Sequence, residues 1–358
     1  MQSIKDNCRH YRGDVPCVYH KQSGIHCPEC DHYELLKERI LIIKLGAIGD
    51  VIRTTPLLRK LKKEFPNAEV SWLTSAPEAV SSEWVDNILD FTFSNIVWLE
   101  QQQFNWLINL DKDKEAIALA ERIAAKRKSG FRMNNYGKCI SMGHLSEDHK
   151  WLTGIWDDFN KENTLNYMEE IFSICGYSFN NEEYILSTKE VTFPRINKTK
   201  VVVGLNTGCG ARWLTRLWPE VYWTDLARLL VGKGYETILL GGSLEDLKNK
   251  KIAGSSSAKY FETPSIKDFF DLVNQCDIVV SQVSMAMHAA IAFNKYLVLM
   301  NNIFNRNEFH LYDRGIIIEP NLNCLGCFKQ KYDNRCKSDN CMETITVQHI
   351  LAAIESGA

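Results

Sequence analysis

Arg39 to Glu64 reads RILIIKLGAIGDVIRTTPLLRKLKKE, an apolar strand, a Gly-x-x-Gly-Asp turn and a basic amphipathic helix in direct succession. Ile40, Leu41, Ile42, Ile43 and Leu45 form a nearly continuous apolar run, as in a parallel strand buried on both faces. Strand, glycine turn and helix in that order predict an α/β fold. Gly46 and Gly49 let the backbone turn tightly and admit a close neighbour, and Asp50 falls at a helix entrance, where backbone donors and the helix dipole favour an anion. The plainer reading makes Asp50 a helix cap.

Outward from this stretch the same rhythm continues. Strands are expected at Ile40–Leu45, Glu69–Leu73 and Trp106–Leu110, with helices at Pro56–Phe65 and Lys114–Lys126. A second set follows at Val201–Leu205, Thr237–Gly241, Ile278–Ser281 and Tyr296–Met300, with helices near Val221–Lys233 and Met285–Phe293. This is the βαβ alternation of a doubly wound sheet, twice. Ser187 to Lys200, STKEVTFPRINKTK, is polar and aperiodic and reads as the hinge between the halves. The expected division is a Cys-rich segment at 1–37, a first Rossmann-like domain at 38–190, a second at 198–320, and a cysteine finger with a C-terminal helix at 321–358.

Composition bounds the function classes. The 358 residues can bury two cores, and a net charge of -2 gives no reason to expect nucleic acid as a partner. No run of about 18 apolar residues is present, and the first 30 residues lack the apolar centre of a secretory signal, so at most peripheral membrane contact and a cytoplasmic location are expected. Thiols stay reduced there, which turns attention to the 12 cysteines as ligands or core residues rather than disulfides.

Cys8, Cys17, Cys27 and Cys30 crowd the N-terminus, and Cys324, Cys327, Cys336 and Cys341 crowd a segment near the end. Each group holds one Cys-x2-Cys pair and four thiols, enough for a closed tetrahedral site. Gly, Pro, Asp and Asn surround both, so metal binding would supply folding energy. Four thiolates suit zinc and iron alike. His10, His20 or His26 can replace one N-terminal cysteine; the plainer reading is unpaired thiols on flexible ends. Cys139, Cys175 and Cys276 read as small core residues.

KLGAIGDVIRTTPLLRKLKKEFPNAEVSWLT, from Lys44, resembles the opening motif of the family 9 glycosyltransferases, the ADP-heptose heptosyltransferases of the lipopolysaccharide core. GLNTGCGARWLTRLWPEVYW, from Gly204, resembles that family's donor loop, and LLGGSLED and MAMHAAIAFNKYLVLM are similar to two further segments. Four motifs in the right order carry the resemblance. It implies the GT-B architecture, two Rossmann-like domains facing a cleft, with ligands at the carboxyl ends of the strands. The C-terminal cysteines resemble the iron-binding finger of the autotransporter heptosyltransferases, a branch of the same family.

The donor site follows from residues and resemblance together. After Val201–Leu205, the small residues Thr207, Gly208 and Gly210 offer amides to a diphosphate, with Arg212 and Arg216 in reach. In the family the basic residue before Leu-Trp-Pro contacts the donor phosphates, and that position is Arg216. Gly242 and Glu245 end a strand where a carboxylate can take ribose hydroxyls, Asp246 being the alternative in register. Ser284, Met285 and His288 open a helix towards the diphosphate, or else His288 is a core side chain. The family's Asp-Thr-Gly before this histidine is replaced by Val283-Ser284-Met285.

The expected chemistry is inverting transfer. Asp50 acts as the base that deprotonates an acceptor hydroxyl, and the donor is a nucleoside-diphosphate sugar, ADP-heptose above all. Lys44, Gly46 and Gly49 are the acceptor-side candidates, and the acceptor is lipopolysaccharide core or, alternatively, a protein hydroxyl. A non-catalytic sugar-nucleotide-binding protein is the reading from another class. Lys126-Arg127-Lys128 reads as a solvated basic face, and Asp111-Lys112-Asp113 as a surface turn rather than the metal pair of a metal-dependent transferase. No catalytic metal is expected, and zinc or iron at the cysteines would be structural.

Overall fold

The computed structural model describes residues 3–188, 193, 195–210, 214–327 and 341–358. The chain divides into two compact units. One comprises Met1–Leu45, Leu58–Ser75 and Ser82–Met142, the other Gly46–Leu57, Ala76–Ser81 and Gly143–Ala358. No helix among the described residues is long and apolar enough to cross a membrane.

The first unit is built on β1 (Arg39–Ile43), β2 (Glu69–Thr74), β3 (Asn87–Asp90), β4 (Gln103–Asn109), β5 (Ala124–Met133) and β6 (Cys139–Ser141), in the order β3-β2-β1-β4-β5-β6. All neighbours are parallel except the β5–β6 pair. The β1 run is central, with Ile42 opposite Trp72 on one side and Ile108 on the other. Ile40 to Ile43 are fully buried, as the unbroken apolar run predicts.

The second unit holds β7 (Val202–Asn206), β8 (Glu236–Leu240), β9 (Lys259–Tyr260), β10 (Ile278–Gln282), β11 (Tyr296–Met300) and β12 (Gly315–Ile318), in the order β12-β11-β10-β7-β8-β9, all parallel. Counted from β7 this is the 3-2-1-4-5-6 order of the nucleotide-binding sheet, with its reversal between β7 and β10. Gly204 in β7 has a packing reason: a Cβ there would stand 2.5 Å from Cys276 Sγ and 2.9 Å from Leu240 Cδ1. Cys276 is a core residue, its thiol pushed up to about 12 by burial. Cys175 is buried too, whereas Cys139 is only half-buried, on the edge strand β6. The expected C-terminal helix, Val347–Gly357, packs Ile350 and Ile354 into the core beside Trp223 and Leu230.

Several sequence expectations differ from the structure. The break falls after Met142, not within Ser187–Lys200, part of which lies outside the described residues. Residues 143–188, expected in the first domain, group with the second unit. Arg314 grips the Glu183 carboxylate with both terminal nitrogens at 2.9 and 2.7 Å, and Ile185 N–H donates to Thr55 Oγ1 at 2.8 Å. The helix expected over Lys114–Lys126 stops at Arg122, and Lys126-Arg127-Lys128 lies in β5. Arg127 stacks 3.8 Å from the Trp106 ring, while Lys128 Nζ donates to the terminal carbonyls of Ala120 and Glu121 at 2.7 and 3.1 Å.

Asp111 is not on a surface turn. Only 5% exposed, it accepts from Lys44 Nζ at 3.2 Å and Leu45 N–H at 2.8 Å through Oδ2, and from Lys112 N–H at 2.9 Å through Oδ1. Lys44, expected to bind an acceptor, is thereby buried in an ion pair that ties the end of β1 to the end of β4. Asp111→Ala strands that lysine and should cost about 3–5 kcal/mol in urea unfolding. Asp113→Ala should stay within about 0.5 kcal/mol of the native protein; equal losses would mean that the pair is not what holds this corner.

Candidate functional site

At the switch point of the second sheet, the carboxyl ends of β7, β8 and β10 surround a cavity of about 1160 Å³. Its other wall is the short Ile48–Ile52 helix, which belongs to the same unit. Gly49 explains the approach: a Cβ there would lie 2.7 Å from His288 Cδ2 and 3.5 Å from Met285 Cα. The second glycine of the opening motif therefore serves helix packing. Gly46, expected on the acceptor side, has open space where its Cβ would stand and does not line the cavity.

Asp50 lines the cavity with its side chain 35% exposed. The cap position of its helix is taken by Ala47, so the reading of Asp50 as a cap is set aside. Its Oδ1 instead pairs with Arg53 at 2.8 Å, and Arg53 reaches on to Glu308 at 2.7 Å and lies 3.7 Å from the Tyr167 ring. Burial disfavours the Arg53 charge, but the two carboxylates more than offset this and raise its pKa. Arg53 and Glu308 escaped the sequence reading. The i, i+3 spacing of Asp50 and Arg53 was a visible signal, whereas Glu308 lies 255 residues from Arg53.

On the phosphate side, Asn206 organises the loops. Its Nδ2 donates to Gly208 O at 2.7 Å, Ser281 Oγ at 3.0 Å and Ser284 Oγ at 3.1 Å. Gly208, Gly210, Ser284 and Met285 line the cavity as expected, with Gly210 at φ 75°, a conformation that favours glycine. Ser284 caps the Met285–Ala292 helix, whose N-terminus opens on the cavity. Arg216 also lines it, with its guanidinium clamped on backbone: it donates to Val283 O and, at 2.6 Å, to Cys209 O. Arg212 lies outside the described residues. Thr207 does not line the cavity; fully buried, it donates through its hydroxyl to Asn249 Oδ1 at 2.6 Å.

At the other end, Gly242 N–H donates to Glu245 Oε2 at 3.0 Å, and Gly208 leaves the room that Glu245 occupies, since a Cβ there would come within 2.2 Å of Oε1. Asp246 accepts from Lys250 at 3.0 Å and from the Tyr260 hydroxyl at 3.1 Å. Ile266 and Phe269 supply an apolar wall. The cavity thus joins the Glu245 and Asp246 carboxylates, a helix N-terminus with its neighbouring loops, and Asp50.

The cysteine groups lie elsewhere. Cys8, Cys17, Cys27 and Cys30, all half-buried, line one cavity of about 530 Å³ in the first unit. Near the C-terminus, Asn302 accepts from Gly326 N–H at 3.0 Å and donates to Cys341 Sγ at 3.1 Å, tying the Cys324–Cys327 loop to Cys341. Cys336 lies outside the described residues. Among the described residues, no three His, Cys, Asp or Glu side chains stand close enough to hold an ion as placed.

Comparison with known proteins places these features. The sequence profile of glycosyltransferase family 9 (heptosyltransferase) matches residues 97–336. No curated protein sequence matches significantly. Among solved structures, a family 9 glycosyltransferase from Veillonella parvula aligns with a TM-score of 0.67 at 17% identity, over 90% of this chain and 97% of that one. E. coli heptosyltransferase WaaC with ADP-2-deoxy-2-fluoro heptose gives 0.62 at 16%, over 89% and 100%. The iron-containing dodecameric glycosyltransferase TibC of enterotoxigenic E. coli gives 0.55 at 13%, over 94% and 82%. The fold is the GT-B fold of these structures.

His288 lines the cavity yet is 6% exposed, and its Nδ1 has no hydrogen-bond partner among the described residues. Burial first, and the Arg53 charge second, push its pKa down to about 3, with Asp50 opposing, so it meets any ligand as neutral imidazole. The folded value lies below the ordinary 6.5, so the unfolded chain binds the extra proton and stability falls as pH drops from about 6.5 towards 3. His288→Gln should lose less stability than the native protein between pH 7 and pH 4.5 in chemical denaturation. Parallel losses would show that His288 is not held neutral.

Proposed function

The chain belongs to glycosyltransferase family 9 and is a glycosyltransferase, and on that premise we propose that it moves a heptosyl group, with inversion, from ADP-heptose to a hydroxyl of an acceptor such as the lipopolysaccharide core. One observation carries the reading: Asp50 lines the same cavity as the Asn206–Gly210 loop, Glu245 and the N-terminus of the Met285–Ala292 helix. The volume of about 1160 Å³ suits a nucleotide sugar. WaaC with ADP-2-deoxy-2-fluoro heptose and TibC with ADP-D-beta-D-heptose share the fold, which supports this donor.

In this mechanism Glu245 accepts ribose hydroxyls, and loop amides with the helix terminus bear the charge that develops on the leaving diphosphate. Arg216 fixes the two loops that present those amides, and Arg212 is assigned to the phosphates. Asp50 takes the proton from the acceptor oxygen as it attacks the anomeric carbon from the face opposite the diphosphate. Arg53, held by Glu308 and Tyr167, keeps the carboxylate oriented. No catalytic metal enters. The C-terminal group Cys324, Cys327, Cys336 and Cys341 is assigned to a structural zinc or iron ion. That TibC is iron-containing supports iron, and the resemblance of the C-terminal cysteines to those of the autotransporter heptosyltransferases makes a protein hydroxyl the second acceptor class to test.

Purified protein supplied with ADP-heptose and separate core-oligosaccharide and polypeptide acceptors should release ADP with one acceptor class. Asp50→Asn should bind ADP with unchanged affinity by calorimetry and lose about 10²- to 10⁴-fold in transfer. Turnover close to that of the native enzyme would remove Asp50 from the mechanism, and ADP binding without transfer to any acceptor would favour a non-catalytic binding protein.

A further inference from the structure

Ser3 to Arg39 contains no buried side chain. Its regular structure is a six-residue helix, Val18–Ser23, a single 3-10 turn, Cys27–Glu29, and one bridge between Cys8 and Leu35. Ile4, Val15 and Val18 are 63%, 48% and 51% exposed, so no apolar core offsets the entropy of ordering this segment. Polar ties attach it to the first unit: Arg9 pairs with Asp86 at 2.6 Å, and Asp86 accepts from Val70 N–H in β2 at 2.9 Å. These ties fix one corner and leave the remainder unexplained.

The cysteines sit at the points where this fold turns. Cys8 forms the bridge, Cys17 occupies the cap position of the helix, Cys27 opens the 3-10 turn, and Cys30 closes it with its N–H donating to Cys27 O at 3.4 Å. All four residues line one cavity of about 530 Å³. Of the surrounding histidines, His10 faces Glu34 at 3.5 Å, His32 stacks on Tyr19 at 3.9 Å, and His20 places Nδ1 3.0 Å from Ile25 O.

We propose that residues 3–35 are a metal-folded module in which Cys8, Cys17, Cys27 and Cys30 bind a single zinc or iron ion as four thiolates. The Cys27-x2-Cys30 turn supplies two ligands from one loop, the geometry of a closed structural site. Cys8 and Cys17 bring in the bridge and the helix, so one ion pins every ordered element of the segment. Each thiol releases its proton to solvent as its sulfur binds, and the thiolates turn inward about their side-chain torsions, since they now ring a cavity rather than a point. The ion is structural and lies in the first unit, apart from the donor cavity in the second.

The test uses the full chain purified anaerobically, with metal content read by elemental analysis. Cys27→Ser with Cys30→Ser should lose one ion equivalent relative to the native protein, become open to proteolysis within residues 3–38 and keep its ADP affinity. Cys324→Ser with Cys327→Ser should retain that N-terminal equivalent, which separates this ion from any at the C-terminus. Elemental identity and a thiolate-to-iron charge-transfer band tell zinc from iron, and either supports a four-thiolate site. If the double variant fails to fold, alkylation mapping of the native chain decides: the four thiols should be protected together and released together by a chelator. An unchanged metal content in the N-terminal variant, or four thiols alkylated at the rate of an exposed cysteine without chelator, overturns the proposal. So does loss of the ion in His20→Ala while Cys8→Ser retains it.

Discussion

A missing side chain at residue 49 is the constraint on which the candidate site depends. The helix that carries Asp50 has only five residues and no side-chain cap, so it gains little from its own hydrogen bonds. It is held by packing against the Met285–Ala292 helix at a distance that leaves no room for a Cβ: the nearest atom, His288 Cδ2, would be 2.7 Å away on a buried ring that has little freedom to yield. That approach puts Asp50 on the wall of the cavity. It also brings Arg53 to Glu308 and Tyr167, and the residues from Gly46 to Leu57 group with the second unit although β1 lies in the first.

Strands buried on both faces were legible almost to the residue. Tyr296–Met300 has the bounds read from sequence, and β7, β8 and β10 differ by one position at one or both ends, because an unbroken apolar run has no other stable place. β5 was not legible. AAKRKSGFRM reads as a charged helix end, and only the tertiary structure gives Arg127 the Trp106 ring and Lys128 the helix carbonyls to satisfy. The short strands β9 and β12 and the helices between 143 and 175 lack a period strong enough to stand out. The site followed the same rule. Glycines and small residues beside a strand end suggest a phosphate loop, and the candidates Gly208, Gly210, Glu245 and Asp50 all line one cavity. Thr207 was offered for its amide, which instead donates to Leu240 O at 3.3 Å, while its hydroxyl is buried on Asn249. Lys44 and Asp111 were misread likewise, because their pairing joins residues 67 apart.

The charge balance of the cavity bears on how a nucleotide would be held. Among the described residues lining it, Arg216 stands against the carboxylates of Asp50, Glu245, Asp246 and Glu262. Arg216 is engaged with two carbonyls, Arg53 is matched by Asp50 and Glu308, and His288 is neutral. An acidic lining repels a diphosphate, and one carboxylate comes close to the loop itself, since a Cβ on Gly208 would lie 2.2 Å from Glu245 Oε1. Glu245 sits beyond the β8 loop with its Oε2 on the Gly242 amide, while Asn206 gathers the Gly208 carbonyl and the Ser281 and Ser284 hydroxyls at the mouth of the Met285–Ala292 helix. Under the proposed function, oriented amides and a helix terminus share recognition of the phosphates with Arg212. The carboxylates are left for hydroxyls, the groups that a ribose, a sugar and an attacking acceptor all present. Under the proposed function such a site would gain selectivity from hydroxyl geometry more than from net charge, which suits transfer between a donor and an acceptor that both present hydroxyls.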